Sequence, residues 1–509
     1  MSDNKQTYVE ILKSTSLIGI SSVASIFFSI VRMKVLAVLL GPGGVGLFGL
    51  YSLIADFATS LAGMGAQSSG VRQVAAAVGT GDAAQIGRTV RVLNWASVAL
   101  GVIGAALLAA LALPVSHLTF GTTLEAPGVA LLGIAVFLRL VAGAPTALIQ
   151  GTRRIRDLAA LTVIGAVLNT AVTIPLIYLY GEAGIVPSLI AMALTSLFAA
   201  LWYRRRIVMP VASLSLAEAR FETGELLKLG FAFMASGLLT VGAAYAIRIF
   251  ILQANGVVAA GLYQAAWAIG GLYAGFILQA MGTDFYPRLT GVANDHARCN
   301  RLVNEQAQIS MLLAGPGLLA TMTLAPLVMA IFYSVEFQPA VPLLRWLCLG
   351  MLLRVVAWPM GFIILAKGAQ KLFFWTEVAA AAVQVGLAWF LLPRVGLVGA
   401  GMAFAGLYVW HGALVYFLVR RLTGFRWSEA NFKLGVIFLT AAVVVFAAVT
   451  VLPFWPASIA GAGATAIAGG YSLVELVKLL PLSWFPAPLR PLLQRLALGG
   501  VARPVGPGD

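Results

Sequence analysis

Long apolar stretches follow one another along most of the chain, separated by short segments rich in charged residues, glycine, proline or asparagine. A helix needs about 20 apolar residues to cross a bilayer. Breaking the hydropathy pattern at these segments gives fourteen candidate spans. They are roughly residues 17–40, 44–66, 90–113, 127–149, 158–180, 183–203, 229–252, 256–281, 307–333, 341–366, 372–393, 396–419, 432–453 and 457–480. The sequence therefore predicts an all-α polytopic membrane protein with about 14 transmembrane helices.

Composition agrees with this prediction. Hydrophobic residues make up 61% of the chain and charged residues only 10%, whereas soluble domains carry roughly a quarter charged residues. The chain therefore lacks the polar surface of a soluble enzyme, and its many apolar stretches exclude a single-pass receptor. No Gly-Lys-Ser/Thr step or metal-ligand spacing is present, so we expect no nucleotide, metal or other cofactor.

The distribution of the 33 Lys and Arg residues tests the predicted topology, because cytoplasmic loops of membrane proteins are enriched in them. With a cytoplasmic N-terminus, Arg394 is the one basic residue in a predicted outer loop. Six basic residues lie within spans: Arg32, Lys34, Arg139, Arg248, Arg345 and Arg354. The others fall on the cytoplasmic side, which supports the predicted number of spans and places both termini in the cytoplasm. The net charge of +15 is then explained by topology and anionic lipid, without nucleic acid.

Similar short segments recur about 212 residues apart and indicate an internal duplication. The matches are Gly49-Leu50-Tyr51 with Gly261-Leu262-Tyr263, Gly184-Ile185-Val186 with Gly396-Leu397-Val398, and Arg139, Pro145 and Gly151 with Arg354, Pro359 and Gly368 at offsets of 214 to 217. Because each half contains an even number of spans, the two halves share one orientation, which is a parallel repeat. The predicted organisation is a six-helix lobe at 1–203, a cytoplasmic basic linker at 204–228, a second six-helix lobe at 229–425, and two appended helices with a cytoplasmic tail at 426–509.

Basic residues inside spans need partners, water or a ligand, since an isolated charge at the middle of a bilayer costs about 2.5–3.5 kcal/mol or more. Four of them are predicted to lie deep: Arg32, Arg139, Arg248 and Arg354. Lys34 and Arg345 lie closer to the outer interface, where long basic side chains can snorkel. The deep arginines either form salt bridges and cap exposed carbonyl groups or line a cavity that accepts an anion.

Acidic residues in the spans are too few to neutralise these arginines. Asp56 and Glu377 lie within predicted spans, and Asp284 at the inner end of span eight is expected to pair with Arg288 one turn later. The excess of arginine favours an anion-accepting cavity. Several aromatic residues either line a sugar path or pack the helices, and packing is favoured: Tyr245, Tyr263, Trp267, Tyr273 and Trp358.

Two sequence runs resemble a known group of transporters. Residues 29–47, SIVRMKVLAVLLGPGGVGL, look like the opening of Wzx-type O-antigen flippases of the multidrug/oligosaccharidyl-lipid/polysaccharide (MOP) exporter superfamily. Residues 283–289, TDFYPRL, are similar to another segment of that group. The resemblance covers roughly residues 1–425. Most members of the group have about twelve spans, so the last two predicted helices are a departure.

The resemblance implies a MATE-like fold and a flippase that is not an enzyme. Such a protein moves an undecaprenyl-pyrophosphate-linked oligosaccharide, such as an O-antigen unit for lipopolysaccharide, from the cytoplasmic to the periplasmic leaflet of the bacterial inner membrane. Rocking of the two lobes gives alternating access, and guanidinium groups suit a pyrophosphate. The implied pyrophosphate-binding residues are Arg32, Arg139, Arg248 and Arg354, and the implied ion-coupling residues are Asp56 and Glu377. Expected partners are the lipid-linked glycan, membrane lipids and other polysaccharide-assembly proteins.

Three alternative functions stay open. A MATE-type multidrug antiporter for cationic drugs would favour an acidic cavity, which the excess of arginine opposes. A flippase for the peptidoglycan lipid precursor suits fourteen spans, but the opening run favours the O-antigen group. A membrane-embedded glycan polymerase or ligase needs a catalytic constellation in a sizeable outer loop, and the predicted outer loops are short.

Overall fold

The computed structural model describes residues 2–80, 82–207, 216–280 and 285–479, and these ranges are helical apart from short connections, without a β-strand. The predicted all-α class is confirmed. The helices are α1 (Ser2–Ala62), α2 (Ala66–Thr80), α3 (Ala83–Ala110), α4 (Ala112–Phe120), α5 (Ala126–Gly151), α6 (Ile155–Tyr180), α7 (Ile185–Arg204), α8 (Leu216–Ala280), α9 (Tyr286–Gly291), α10 (His296–Thr323), α11 (Ala325–Phe332), α12 (Val341–Ala366), α13 (Gln370–Val395), α14 (Val398–Thr423), α15 (Glu429–Val451) and α16 (Phe454–Leu479).

Several helical stretches are long and apolar enough to cross a membrane. The described residues contain ten of them, or eleven if α10 and α11, which meet at a bend of 83°, are counted as one span. Three of the stretches are 44, 50 and 36 residues long: Gly19–Ala62, Ile155–Arg204 and Gly237–Leu272. The first two of these are long enough to cross a bilayer twice, because one crossing takes about 20 residues. The number fourteen stays a prediction.

Glycines interrupt the longest helices at matching places. Gly41 breaks α1 with φ 63° and ψ −171°, and Gly256 breaks α8 with φ 82° and ψ 176°. Gly181 follows α6 with φ 57°, and Gly396 follows α13 with φ 67°. These left-handed conformations suit glycine because it has no Cβ. Gly41 belongs to the opening run that carries the family resemblance, and its role there is to let the chain turn between two helical segments.

The helix limits confirm an internal duplication. Helices α3 and α10 each have 28 residues, begin 213 positions apart, and are capped by Asp82 and Asp295, whose carboxylates accept backbone N–H groups. Helices α5 and α12 each have 26 residues and begin 215 positions apart, as do α6 and α13. Arg139 and Arg354 are both the fourteenth residue of their helices. The two arginines therefore occupy equivalent positions.

The structure corrects one of the expected matches. The offset of 212 pairs Gly184 with Gly396, but the residue that shares the backbone conformation and helix-ending position of Gly396 is Gly181, at an offset of 215. Residue identity matched the wrong glycine because glycine followed by aliphatic residues is common in apolar helices. Backbone conformation identifies the equivalent glycine where residue identity does not.

The first compact unit comprises Met1–Ala265 and Ala330–Gln338. Its best-defined core joins α2, α3, α5 and the beginning of α8 through Val74, Leu93, Leu148 and Leu226, all of which are almost fully buried. Small residues let these helices approach, and a Cβ at Gly70 would lie 2.7 Å from Leu93. This core fixes α2 and α5 around the position of Arg139.

The second compact unit comprises Ala266–Met329 and Pro339–Asp509. Helices α12 and α14 pack closely because Gly350 faces Phe404 and Gly401 faces Trp346. The lobe limits predicted from the sequence stay a prediction. Residues 208–215 of the predicted linker and residues 480–509 of the predicted tail lie outside the described residues.

Helices α15 and α16, which have no counterpart in the first half, are held to α10 within the second unit. The Asn304 side chain bonds on both sides: its Nδ2 donates to the Arg426 carbonyl at 3.1 Å, and its Oδ1 accepts from the Ser428 N–H at 2.8 Å and from Asn431 Nδ2 at 2.9 Å. Gly315 on α10 accommodates the ring of Phe438. The appended helices are therefore an integral part of this unit.

Asn304→Ala is expected to destabilise the protein by about 2 kcal/mol, because it leaves the Ser428 N–H without its acceptor and removes one of the two acceptors of the buried Asn431 amide, which keeps the backbone carbonyl of residue 304. Thermal unfolding of the purified protein in detergent measures the change. Asn255→Ala, at an exposed position, is the matched control and should leave the melting temperature unchanged. Equal melting temperatures for the two variants would contradict the role of Asn304.

Candidate functional site

Arg139 and Asp56 form an ion pair inside the first unit. The Nη1 of Arg139 on α5 lies 2.5 Å from Oδ1 of Asp56 on α1, and the side chains are 25% and 52% exposed. Asp56 occupies only one of the five N–H groups of the guanidinium. Arg139 also lines a cavity of about 290 Å³ beside the start of α2. The arginine is thus partly neutralised and still able to bind a second anion.

Arg248 is almost completely buried, with 8% of its surface exposed. Its Nη2 and Nε donate to Oε1 of Gln264 at 2.8 and 3.3 Å, and its Nη1 donates to the Ala244 carbonyl at 3.3 Å. Its guanidinium carbon lies 5.4 Å from the centre of the Tyr263 ring. Three of its N–H groups are committed to the first unit itself, so Arg248 is the least available of the four predicted anion-binding residues.

Arg32 and Lys34 on α1 have different surroundings. Arg32 is half-buried, and its Nε is shielded from solvent without a hydrogen-bond partner among the described residues. Lys34 donates from Nζ to the carbonyls of Ala330, at 2.9 Å, and Tyr333. Carbonyl groups at the end of a helix attract its ammonium group, and the expectation that Lys34 snorkels stays a prediction.

Arg354 lies among aromatic residues of the second unit. Its guanidinium carbon is 4.7 Å from the centre of the Trp358 ring and 5.8 Å from that of Tyr408. The Tyr408 ring in turn contacts that of His411, with centres 5.9 Å apart. Arg354 Nε, Trp358 Nε1 and His411 Nδ1 are all shielded from solvent and have no hydrogen-bond partner in the described part of the chain. These orphan groups can bind a polar ligand.

Glu377 on α13 lies within electrostatic range of Arg354. It forms no ion pair within 4 Å in the described ranges, so the two charges interact without the direct contact that joins Asp56 to Arg139. Equivalent arginines in the two halves thus have different partners. Asp284, the remaining acid of the sequence prediction, and Thr283 of the second resembling run lie outside the described residues.

Arg345, on the same helix as Arg354, has a structural role. Its Nη1 donates to the Val449 carbonyl at 3.0 Å and its Nε to the Met322 carbonyl at 3.4 Å. These carbonyls belong to the last turns of α15 and α10, where a cation is favourable. These helix ends satisfy its donors, and the expectation that Arg345 snorkels stays a prediction.

Sequence reasoning missed several polar contacts. The sequence signals one of them, at Gln264, because a side-chain amide in an apolar stretch needs a hydrogen-bond partner. The Gln264 amide oxygen accepts from Arg248. Tyr51 donates its hydroxyl to Oε2 of Glu125 at 2.6 Å. Among the aromatic residues, Tyr245 stacks on Phe57, which agrees with a packing role. The side chain of Tyr273 lies outside the described residues. No group of three or more His, Cys, Asp or Glu that could hold a metal is found in the part of the chain that the structure describes.

Comparison with known proteins identifies the family. A family model described as polysaccharide biosynthesis protein matches residues 35–342, more than half of the chain. The chain belongs to the polysaccharide biosynthesis protein family. The match includes Arg139 and Arg248 and ends at the beginning of α12, so it does not include Arg354.

Individual relatives of this family member extend the likeness. The Lipid III flippase of Escherichia coli (strain K12) is 23% identical over 394 residues, which cover 76% of this chain and 94% of that protein. Among solved structures, an inward-facing MATE family multidrug resistance transporter of the MOP superfamily has a TM-score of 0.67 at 17% identity, covering 79% of this chain and 94% of that one. The Lipid II flippase MurJ in an inward closed conformation has a TM-score of 0.62 at 13% identity, covering 91% and 99%.

These likenesses confirm that this polysaccharide biosynthesis family member has the MOP-type fold. This is the fold that the resemblance at residues 29–47 implied. The bilayer-length apolar helices, together with the likeness to a Lipid III flippase, establish a multi-pass membrane protein. The more specific resemblance to the Wzx group stays a prediction.

Proposed function

We propose that the protein is a flippase that moves an undecaprenyl-pyrophosphate-linked oligosaccharide, an O-antigen or related surface polysaccharide unit, from the cytoplasmic to the periplasmic leaflet of the bacterial inner membrane. Alternating access is the mechanism that the MOP-type fold supports. Membership in the polysaccharide biosynthesis protein family and the likeness to a Lipid III flippase support a lipid-linked glycan as the substrate. We further propose that both termini are cytoplasmic.

The observation that carries the proposal is the presence of shielded, unpartnered arginine groups in apolar helices. The Nε atoms of Arg32 and Arg354 have neither solvent nor a hydrogen-bond acceptor in the described ranges. An unsatisfied buried polar group costs about 1–3 kcal/mol, more when it is charged, so each unit that keeps one gains from a ligand that satisfies it. A pyrophosphate supplies oxygen acceptors that match a planar guanidinium.

The remaining predicted site residues have supporting roles in this proposal. Arg139 contacts the diphosphate with the N–H groups that Asp56 leaves unused. Arg248 lies beside the site and keeps its hydrogen bonds to Gln264. Asp56 and Glu377 are assigned to proton or cation coupling, because protonation or cation binding at either carboxylate changes the field at the neighbouring arginine. Chemistry on the substrate is not part of this mechanism.

A flippase for the peptidoglycan lipid precursor is the second candidate. It is favoured by coverage: the likeness to the Lipid II flippase MurJ includes 91% of this chain, against 79% for the MATE transporter. The multidrug antiporter is disfavoured, because the shielded charges Arg32 and Arg354 repel cationic drugs.

Complementation in a flippase-deficient bacterium tests the proposal. Strains lacking either an O-antigen flippase or the peptidoglycan-precursor flippase receive this chain, and the lipid-linked glycan that accumulates is identified by mass spectrometry. Restored surface polysaccharide in the first strain is expected. Rescue of the second strain alone supports the second candidate and contradicts the first. Arg32→Ala at native expression should abolish the rescue, because it removes a guanidinium donor without breaking any hydrogen bond described for it.

A further inference from the structure

The junction between α1 and α2 contains a cavity that the sequence did not predict. Helix α1 ends at Ala62, the chain turns through Met64 and Gly65 with φ values of 45° and 65°, and α2 begins at Ala66. The cavity, of about 290 Å³, opens at this first turn of α2. Its volume exceeds that of one water molecule, about 30 Å³, by roughly tenfold. Space for a small ligand therefore exists at the N-terminus of a helix inside a membrane protein.

The polar lining of this cavity suits an anion. Its polar side chains are those of Thr59, Ser60, Gln67, Ser68, Ser97 and Arg139. Among its described lining residues one is a cation and none is an acid. Hydroxyl and amide groups can donate hydrogen bonds, and a guanidinium only donates. The lining therefore matches a ligand that is mainly an acceptor and negatively charged.

The backbone of α2 adds donors on the same side. In the first turn, the N–H of Ala66 bonds to the Gly63 carbonyl at 2.8 Å and that of Ser69 to the Gly65 carbonyl at 3.0 Å. The N–H groups of Gln67 and Ser68 have no acceptor within the described ranges. The N-terminus of a helix carries a partial positive charge, and interrupted membrane helices direct such ends at anionic substrate groups. The 15-residue α2 has this geometry.

Ser97 on α3 is an independent sign of a ligand. It is 94% buried, being 6% exposed, and it lines the cavity. Its hydroxyl makes no hydrogen bond to any described residue, although buried serines normally bond to a carbonyl one turn earlier in the helix. Ser310, the equivalent residue of α10, does so: its Oγ donates to the Gln306 carbonyl at 2.8 Å. The first half of the duplication thus keeps a serine hydroxyl unpartnered where the second half satisfies it.

We infer that this cavity binds a diphosphate group, held by Arg139, by the hydroxyls of Ser97 and Ser68, and by the free N–H groups at the start of α2. Arg139 binds it while keeping Asp56, because the ion pair uses one N–H of the guanidinium. Under the predicted orientation Arg72 of α2 faces the cytoplasm, so the site lies toward the leaflet from which a lipid-linked substrate enters. The inference rests on the proposed function only for naming the head group of the prenyl diphosphate as the natural source of the anion.

Calorimetry on the full-length protein in nanodiscs tests the site with two probes, inorganic pyrophosphate and farnesyl diphosphate. Ser97→Ala removes one oxygen and is expected to weaken binding of farnesyl diphosphate about tenfold. Gln67→Glu adds a negative charge at the first turn of α2, where a carboxylate stabilises the helix, and is expected to weaken binding by tenfold or more. Unchanged affinity in both variants, or no binding of either probe to the wild-type protein, overturns the inference.

Two matched variants control for general effects. Ser310→Ala makes the same change at the equivalent position of α10, and Gln85→Glu adds the same charge to the first turn of α3, outside the cavity. Both should bind farnesyl diphosphate within twofold of wild type, and equal losses in these controls contradict the site. Tighter binding of farnesyl diphosphate than of pyrophosphate supports the lipid head group as the ligand, whereas binding of pyrophosphate alone overturns that source. If the protein binds diphosphate but transports no lipid-linked glycan, the proposed function is contradicted and the inferred binding site is still supported.

Discussion

Arg354→Ala is expected to lower transport of the lipid-linked oligosaccharide about a hundredfold while leaving the melting temperature equal to or above that of the wild-type protein. The two effects have one cause. Arg354 makes no hydrogen bond to any described residue and its Nε is shielded from solvent, so removing the side chain removes an unsatisfied donor. That gain offsets the loss of its contacts with the Trp358 and Tyr408 rings and preserves the fold. If the guanidinium binds the pyrophosphate, the same change removes a charge-assisted contact worth about 3 kcal/mol, or roughly a hundredfold in affinity.

Arg345→Ala is the matched control, because it removes the same side chain from the same helix. Arg345 bonds to the carbonyls of Val449 and Met322, so its loss should lower the melting temperature. Transport by the folded fraction should remain near the wild-type rate. Transport is measured in proteoliposomes and unfolding by differential scanning fluorimetry. Reduced stability without reduced transport in Arg354→Ala would show that Arg354 has a structural role and no part in substrate binding.

The hydropathy and charge patterns were sufficient for the fold class. The fold class follows from apolar stretches of bilayer-spanning length and from the absence of basic residues in all but one predicted outer loop. Both features depend on composition along the chain, which a sequence displays directly. Duplication was also visible, through Arg139 and Arg354. The partner of Gly396 in the first half was not visible, because apolar helices tolerate any small residue at most positions. Only the left-handed backbone conformation shared by Gly181 and Gly396 identifies these two glycines as equivalent.

The partners of the charged residues were harder to predict. The position of a residue within its apolar stretch predicts its depth in the membrane, and this identified the deep arginines. Whether such a residue forms a salt bridge, caps a helix or keeps a free guanidinium depends on which helices are neighbours. Asp56 therefore pairs with Arg139, Lys34 caps carbonyl groups, and Arg248 binds Gln264, although all four charged residues look alike in hydropathy. The cavity beside α2 was unpredictable for the same reason, since its lining comes from five separate helices.

Gly261→Ala is expected to destabilise the protein by about 2 kcal/mol, despite the better helix propensity of alanine. Gly261 on α8 faces the segment of α1 that follows Gly41, and a Cβ there would collide with the Pro42 carbonyl oxygen and the Gly46 nitrogen. These are backbone atoms, which cannot rotate away as a flexible side chain does. Inserting a group into a packed interior costs about 1–3 kcal/mol, and a collision with backbone atoms lies at the upper end of that range. The helix-propensity gain of about 1 kcal/mol offsets only part of this cost.

Gly43→Ala is the matched control for this prediction, since the nearest atom to its Cβ is Val258 Cγ2 at 4.0 Å, an ordinary contact. Thermal unfolding of both variants in the same nanodiscs compares them, and Gly261→Ala should melt about 5 °C or more below Gly43→Ala. Apolar burial gives little drive for helix association in lipid, so close backbone packing between small residues carries more of the stability there. Because a Cβ at Gly46 would also collide with backbone, at Gly261 and at the Val257 carbonyl, Gly46→Ala should reproduce the loss. Equal melting temperatures for the Gly43 and Gly261 variants would show that the two helices do not pack this closely.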